Sequence, residues 1–196
     1  MKLLVATNNK GKLKEFNEIL GELGIECVSL KDMGITVDVE ETGTTFLENA
    51  LLKAKEIYKI AKIPTISDDS GLMVDALSGE PGVYSARYAG EPSDDNKNMD
   101  KLLSKLQGVT NRTARFKSVI AAVFSEEDIL VSEGECEGVI IDEKRGDNGF
   151  GYDPIFYVEA LSKTFAEMID GEKNSLSHRG NAIRALKEQL ALRMES

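Results

Sequence analysis

Residues 112–125 (RTARFKSVIAAVFS) and 129–141 (ILVSEGECEGVII) are two long runs rich in β-branched residues, parted only by a short acidic turn. Such a pair predicts a long antiparallel hairpin. A hairpin in mid-chain excludes a purely parallel, doubly wound sheet. The segments around it alternate between strand and helix patterns. Lys2 to Thr7 reads as a buried strand, and from Lys12 onward Phe16, Ile19, Leu20 and Leu23 keep helical spacing until Gly24 stops the run. IECVSL (25–30) reads as a second strand. The stretch TFLENALLKAKEIYKIAK predicts a long helix, with Thr45 and Glu48 at capping-box spacing and Phe46, Ala50, Ala54, Ile57 and Ala61 on one stripe. PTISDDSG (64–71) reads as a short strand ending in carboxylates. A helix is expected over about 94–106, capped by Ser93 and stopped by Gly108, and a last one over about 180–194 with Ile183, Leu186, Leu190 and Met194 facing inward. The class is therefore α/β: a mixed β-sheet flanked by helices. A single domain over residues 1–196 with two lobes and a cleft between them would bring the amino-terminal loop, the acidic segments and the carboxy-terminal loops together.

Composition narrows the partners. With 34 acidic against 24 basic residues the formal charge is −10. That argues against broad binding to nucleic acid or to an anionic membrane, whose phosphates demand cationic faces. A small anion in a locally cationic pocket remains compatible. Cys27 and Cys136 are too few and too far apart for a disulfide framework or a zinc site, so reduced structural thiols and a cytoplasmic location are expected. No signal-peptide pattern opens the chain, and no stretch approaches the roughly 20 apolar residues of a bilayer span.

Six places in the chain carry candidate chemistry. The loop TNNKGK offers the Thr7 hydroxyl, the Asn8 and Asn9 amides, the Lys10 and Lys12 ammoniums and Gly11, all beside a predicted helix start, where free N–H groups favour anions. It suits a polyphosphate; the plainer alternative is a polar turn after a buried strand. It is not a Walker A loop, which needs glycine at Ala6 and a hydroxyl at Leu13. Glu40 and Glu41 precede the long helix, and Asp68 and Asp69 end an apolar strand; each pair fits a hard cation such as Mg²⁺, or is merely solvated surface. Strand alternation sends Asp68 and Asp69 to opposite faces. Lys53 either flanks the inward helix face, where an ammonium helps to orient water or a phosphate oxygen, or snorkels to solvent. In NGFGYDP (148–154), Phe150 and Tyr152 are able to flank a planar base and Asp153 to accept hydrogen bonds, unless the loop is a tight turn with buried rings. In the last stretch, the only histidine, His178, sits beside Arg179 in a Gly/Ser/Asn-rich segment that fits an anion or base reader.

The order of these blocks matters more than any one of them. TNNKGKLKEF, EETGTTFLENALLKAK, ISDDSGLMVDALSGEPGVYSARYAG, NGFGYDPIF, KTFAEM and EKNSLSHRGNAIRAL together resemble the inosine-triphosphate pyrophosphatase family, the XTP/dITP diphosphatases, from Thr7 to about Leu186. The resemblance implies an elongated α/β fold with the active site in a cleft between lobes. It also implies Mg²⁺-dependent hydrolysis of ITP, dITP and XTP to the monophosphate and pyrophosphate, usually by a homodimer. In that family's terms Thr7, Asn8, Asn9, Lys10, Gly11, Lys12 and Ser70 bind the triphosphate. Glu41 and Asp69 serve the metal, Asp69 also accepts the proton, and Lys53 positions water. Phe150, Gly151, Tyr152, Asp153, Lys173, His178 and Arg179 form the nucleoside pocket. Two rival readings are a nucleotide kinase or ATPase, against which the failed Walker pattern counts, and a non-catalytic nucleotide sensor, against which the joint presence of Glu41, Lys53 and Asp69 counts.

Overall fold

The computed structural model describes residues 1–195. In chain order the main elements are β1 (Lys2–Val5), α1 (Lys10–Leu20), β2 (Glu26–Ser29), α2 (Phe46–Ala61), β3 (Thr65–Val74), α3 (Asp95–Lys105), β4 (Thr113–Val123), β5 (Ile129–Ile140), β6 (Phe156–Val158), β7 (Lys163–Thr164), α4 (Asp170–Leu176) and α5 (His178–Met194). Among the described residues the strands form a seven-stranded sheet in the order β2-β1-β3-β4-β5-β6-β7. β1 pairs in parallel with both β2 and β3, whereas β5–β6 and β6–β7 are antiparallel. The expected hairpin is present as β4 and β5, closed at its tip by the Phe124 N–H donating to the Asp128 carbonyl and crossed by the Arg115–Glu137 and Lys117–Glu135 pairs. The sheet is mixed and flanked by helices.

The chain divides into two compact units. The first comprises Met1–Asp69, Ser118–Gly134 and the chain from His178 onward. In it β1 is buried on both faces, which is why it reads as the unbroken apolar run LLVA rather than an alternation. Leu3 and Val5 join Ile66, Ile120 and Ala122 beneath Phe16 and Leu20 of α1 and Ile183, Leu186 and Leu190 of α5. On the opposite face Leu4, Ala6 and Val28 meet Ile57 of α2, and Ala50 and Ala54 of the same helix meet Ala121 and Val123. Burying each large side chain contributes about 1.5–3 kcal/mol. The second unit comprises Ser70–Lys117 and Glu135–Ser177, with its own core of Leu72, Leu102, Leu106 and the mutually packed rings of Phe116, Phe156 and Phe165. Cys27 and Cys136 are both free and buried. Burial pushes their thiols up to about 12 and about 11, so neither is a ready nucleophile.

Four details depart from the sequence reading. β3 does not stop at the carboxylates but runs on through the apolar stretch GLMV, which places Asp68 and Asp69 in mid-strand. Asp94, not Ser93, caps α3, accepting from the Lys97 N–H at 3.0 Å, because the Ser93 hydroxyl is turned back onto the Ala86 carbonyl. Met194, the last residue of α5, is exposed. α5 itself begins at His178, two residues earlier than its apolar periodicity suggests. Among the described residues no helix is long and apolar enough to cross a membrane.

One glycine fixes where α5 lies. A Cβ at Gly134 on β5 would stand 2.2 Å from the His178 carbonyl oxygen and 2.3 Å from the Ala182 nitrogen, so only glycine admits the first turn of α5 against this strand. The Ser132 hydroxyl, donating to the Ala182 carbonyl at 2.9 Å, secures the same contact. Gly134→Ala is therefore expected to destabilise the protein by at least the roughly 1–3 kcal/mol of a typical overpacked core and to lower activity by displacing His178 and Arg179. Urea unfolding checks this, and an unchanged midpoint would show that the helix is not held as described.

Candidate active site

The loop after β1 is first of all a helix cap. The Thr7 hydroxyl oxygen accepts from the Asn9 N–H at 3.1 Å, and Asn9 Oδ1 accepts from the N–H groups of Gly11 and Lys12 at 2.8 and 3.1 Å. Thr7 and Asn9 thus build the turn that starts α1, which satisfies donors that would otherwise be orphaned. For Thr7 and Asn9 the plain reading holds: they form a polar turn that caps a helix. Lys10 and Lys12 are the first and third residues of α1, about 200° apart around its axis. Lys12 turns toward the sheet, where its Nζ lies 3.1 Å from Asp68 Oδ1 and 3.0 Å from Asp68 Oδ2. Lys10, with Asn8 and Asn9, lines a cavity beside the end of β2.

Asp68 faces α1 and α5. Besides Lys12 it binds Arg179, whose Nε donates to Asp68 Oδ2 at 3.0 Å while its Nη1 donates to Glu15 Oε2 at 3.1 Å. The Asp68 and Arg179 side chains are only 3% and 5% exposed, so each charge depends on its partners. Burial by itself would raise Asp68, but the Lys12 ammonium and the Arg179 guanidinium, through charge and hydrogen bonds, hold its carboxyl well below the usual carboxylate range. Asp68 is a fixed anion that locks two cations in place. Glu15 escaped the sequence reading; its spacing of three from Lys12 put both on one helical face, the only signal available.

Asp69 faces α2, as strand alternation requires. Its Oδ2 accepts from Asn49 Nδ2 at 2.9 Å, and the Gly43 N–H donates to Asn49 Oδ1 at 2.7 Å, which orients the amide so that its NH₂ points at the carboxylate. Asn49 was not anticipated either, although an amide among the buried positions Phe46, Ala50 and Ala54 is the kind of exception that marks a polar task. Lys53 does not snorkel away: it is paired with Glu41. Burial raises Asp69 to about 6; the Asn49 hydrogen bond opposes this, Glu41 adds to it, Lys53 opposes it and Asp68 adds to it. Two neighbouring residues of one strand therefore sit at opposite ends of the carboxylate range. That is the pattern by which a site separates a permanent charge from a titratable base.

Glu41 and Asp69 fit a hard divalent cation. Both present carboxylate oxygens, and Glu41 raises the cost of charge on Asp69, a conflict that a cation relieves. Among the described residues no group of three or more Asp, Glu, His or Cys forms a closed metal cage. One or two carboxylates completed by water and substrate phosphates are what Mg²⁺ commonly uses.

The remaining candidates, His178 apart, lie in the second unit. Ser70 follows Asp69 on β3 and is half-buried. Asp153 organises the loop 149–153: its Oδ2 accepts from the Phe150 N–H at 2.9 Å and from Lys173 Nζ at 2.5 Å. Gly149, at φ +79°, has no room for a side chain, since a Cβ would meet Asp153 Oδ2 at 2.0 Å. The Gly151 N–H donates to Asp95 at 2.7 Å. The two aromatic rings part company here. Phe150 is 52% exposed with the Lys173 ammonium 5.0 Å from its centroid, whereas Tyr152 is a core residue whose hydroxyl donates to the Ser85 carbonyl at 2.8 Å. The ring available to a planar ligand is Phe150, and Tyr152 does not stand beside it as a second exposed face. His178, in the first unit, is buried at the first turn of α5.

Residues 3–189 match the Ham1 family. The chain is 50% identical to the dITP/XTP pyrophosphatase of Bacillus anthracis over 192 residues, covering 96% of this chain and 95% of that protein. It is 49% identical to the dITP/XTP pyrophosphatase of Bacillus subtilis strain 168 over 189 residues, 95% of this chain and 96% of that one. Among solved structures, the Staphylococcus aureus Ham1 protein superposes with a TM-score of 0.90 at 44% identity, covering 98% of this chain and 100% of the other. The Coxiella burnetii HAM1 protein gives 0.92 at 41% identity, covering 98% and 99%.

Proposed function

This chain belongs to the Ham1 family, and we propose from that premise that it is a nucleoside triphosphate pyrophosphohydrolase that clears non-canonical purine nucleotides. It hydrolyses ITP, dITP and XTP to the monophosphate and pyrophosphate. The observation that best supports the chemistry is the division of labour between Asp68 and Asp69. Asp68 is held ionised and keeps Lys12 and Arg179 in position, while Asp69, pulled up to about 6, is matched to taking a proton near neutral pH. Water attacks the α-phosphorus and gives its proton to Asp69; the new P–O bond forms as the bond to the bridging oxygen breaks, and the electron pair leaves with pyrophosphate. Lys12 and Lys53 neutralise phosphate oxygens, which is most of what such a reaction requires. Glu41 and Asp69 would hold Mg²⁺, which when bound would neutralise charge, lower the pKa of water and also draw Asp69 down from about 6, so that removal of the proton would then rest mainly on the acidified water. The exposed Phe150 ring offers a stacking face for a purine, and donors such as His178 suit a 6-oxo group, so the 6-amino group of adenine is disfavoured.

A homodimer and a cytoplasmic location accompany this reading on the strength of the motif resemblance. The formal charge of −10 supports a small-molecule substrate over nucleic acid. The test is a panel of ITP, XTP, GTP and ATP with and without Mg²⁺, quantifying pyrophosphate and monophosphate. Equal yields of both products from ITP and XTP, dependent on Mg²⁺, with little from GTP or ATP, are expected. Orthophosphate release would favour the ATPase reading, and binding without turnover the sensor reading.

A further inference from the structure

The peptide that joins Phe150 to Gly151 is held at both of its polar atoms. Its carbonyl accepts from the Asp153 N–H at 3.2 Å, and its N–H donates to Asp95 Oδ2 at 2.7 Å. The Phe150 N–H is taken in turn by Asp153 Oδ2 at 2.9 Å. Two of these three bonds are made within the turn, by Asp153. The third comes from outside it, from the first residue of α3, 56 positions away in the chain. Gly151, at φ +62°, lies where glycine moves freely, so hydrogen bonds rather than sterics set the plane of this peptide and with it the direction of the Phe150 side chain.

Asp95 stands on a braced support. Asp94 caps α3 in front of it, and the buried Asn98, one turn on, accepts from the Ala89 N–H at 2.7 Å and donates to the Ala86 carbonyl at 3.0 Å. That ties the start of α3 to the helical turn Gly82–Arg87, whose Ser85 carbonyl takes the Tyr152 hydroxyl at 2.8 Å. Gly151 and Tyr152 are thus anchored side by side on one block, residues 82–98, while the neighbouring Phe150 ring stays exposed. A carboxylate in the first turn of a helix also favours the helix dipole, which is the plainer reason for an acid at position 95. The dipole needs no particular partner, however, and this side chain is directed at a single amide at a distance typical of a charge-assisted bond.

We propose that Asp95 is a positioning residue for substrate binding: through the Gly151 N–H it fixes Phe150 as a stacking platform, and so raises affinity for the purine without taking part in the chemistry. The inference rests on the functional reading above, in which Phe150 stacks on the base. A platform that is ordered before the ligand arrives spares the ordering cost of binding.

The test compares Asp95→Ala, Asp95→Asn, Phe150→Ala and the double variant Asp95→Ala/Phe150→Ala with the parent, measuring kcat and KM for dITP and, by calorimetry, Kd for inosine monophosphate. Asp95→Ala is expected to raise KM and Kd about fivefold, the loss of one exposed charge-assisted hydrogen bond, with kcat within about twofold of the parent. Asp95→Asn keeps an oxygen able to accept from the Gly151 N–H but loses the charge, so it should restore most of the affinity while sharing any loss at the helix dipole. In the Phe150→Ala background, Asp95→Ala should have no further effect, because a group that acts only through the ring has nothing left to position. Unchanged KM and Kd in Asp95→Ala, a fall in kcat in place of weaker binding, no rescue by Asp95→Asn, or additive effects in the double variant would each overturn the assignment. Phe150→Ala with the parent's affinities would remove the stacking platform, and the proposal with it. A parent that binds inosine monophosphate but turns over no dITP would instead count against the hydrolase reading, and the Kd values would still decide the role of Asp95.

Discussion

Asp69→Asn is expected to lower kcat for dITP by about 10²–10⁴-fold, the span associated with a positioned general base, and to raise the Mg²⁺ concentration needed for any residual turnover, since an amide is a weaker ligand than a carboxylate for a hard cation. The substitution keeps the shape of the side chain and removes both its charge and its capacity to accept a proton at that pH. The Asn49 amide would still have an oxygen to donate to at its 2.9 Å contact, so the local structure has no reason to collapse. Removing the charge also relieves the repulsion with Glu41 that helps to raise Asp69. The variant should therefore be as stable as the parent or slightly more so, despite being nearly inactive. Steady-state kinetics and thermal unfolding on the same preparation check both halves. An active Asp69→Asn protein would remove Asp69 from the proton-accepting role.

Asp68→Ala should show the opposite signature, with stability as the main casualty. Arg179 and Lys12 would lose the carboxylate that both contact at about 3 Å, and Arg179, 5% exposed, would lose one of the two carboxylates it donates to, the other being Glu15. Breaking a buried pair by deleting one partner typically costs about 3–5 kcal/mol, because the surviving charge is left uncompensated. The pH dependence has a definite sign. A carboxyl whose folded value is depressed stabilises the fold fully above its unfolded value of about 4, and that contribution is lost as pH falls below it toward the folded value. The parent should accordingly lose stability on acidification below about pH 4 more steeply than Asp68→Asn does. Denaturant titrations at several pH values test this, and parallel curves for parent and variant would contradict the buried network.

Much of this architecture is legible in the chain. The hairpin follows from two β-branched runs and a three-residue turn, α2 from the Thr45/Glu48 capping box, and the opposite aims of Asp68 and Asp69 from nothing more than strand alternation. The errors share a cause, which is that side-chain partners far apart in sequence leave no local trace. β3 looked short because its carboxylates resemble a polar terminus, yet Lys12, Arg179 and Asn49, at separations of 56, 111 and 20 residues, make a buried position for both acids acceptable. Ser93 and Asp94 are equally plausible caps in isolation, and only the Ala86 carbonyl decides between them. Lys10 and Lys12 look like twin ligands in a six-residue string, but helical geometry sends them to different surfaces. Tyr152 and Phe150 look alike as ring donors, and the Ser85 carbonyl, which takes the tyrosine hydroxyl, is what assigns one to the core and leaves the other exposed.

Turnover of dITP in ¹⁸O-labelled water bears most directly on the central claim, that water activated at Asp69 attacks the α-phosphorus. Mass spectrometry of the two products should find the label in the deoxynucleoside monophosphate and none in pyrophosphate. Label in pyrophosphate would place the attack on the β-phosphorus and contradict the proposed roles of Asp69, Lys53 and Lys12 at the α-phosphorus.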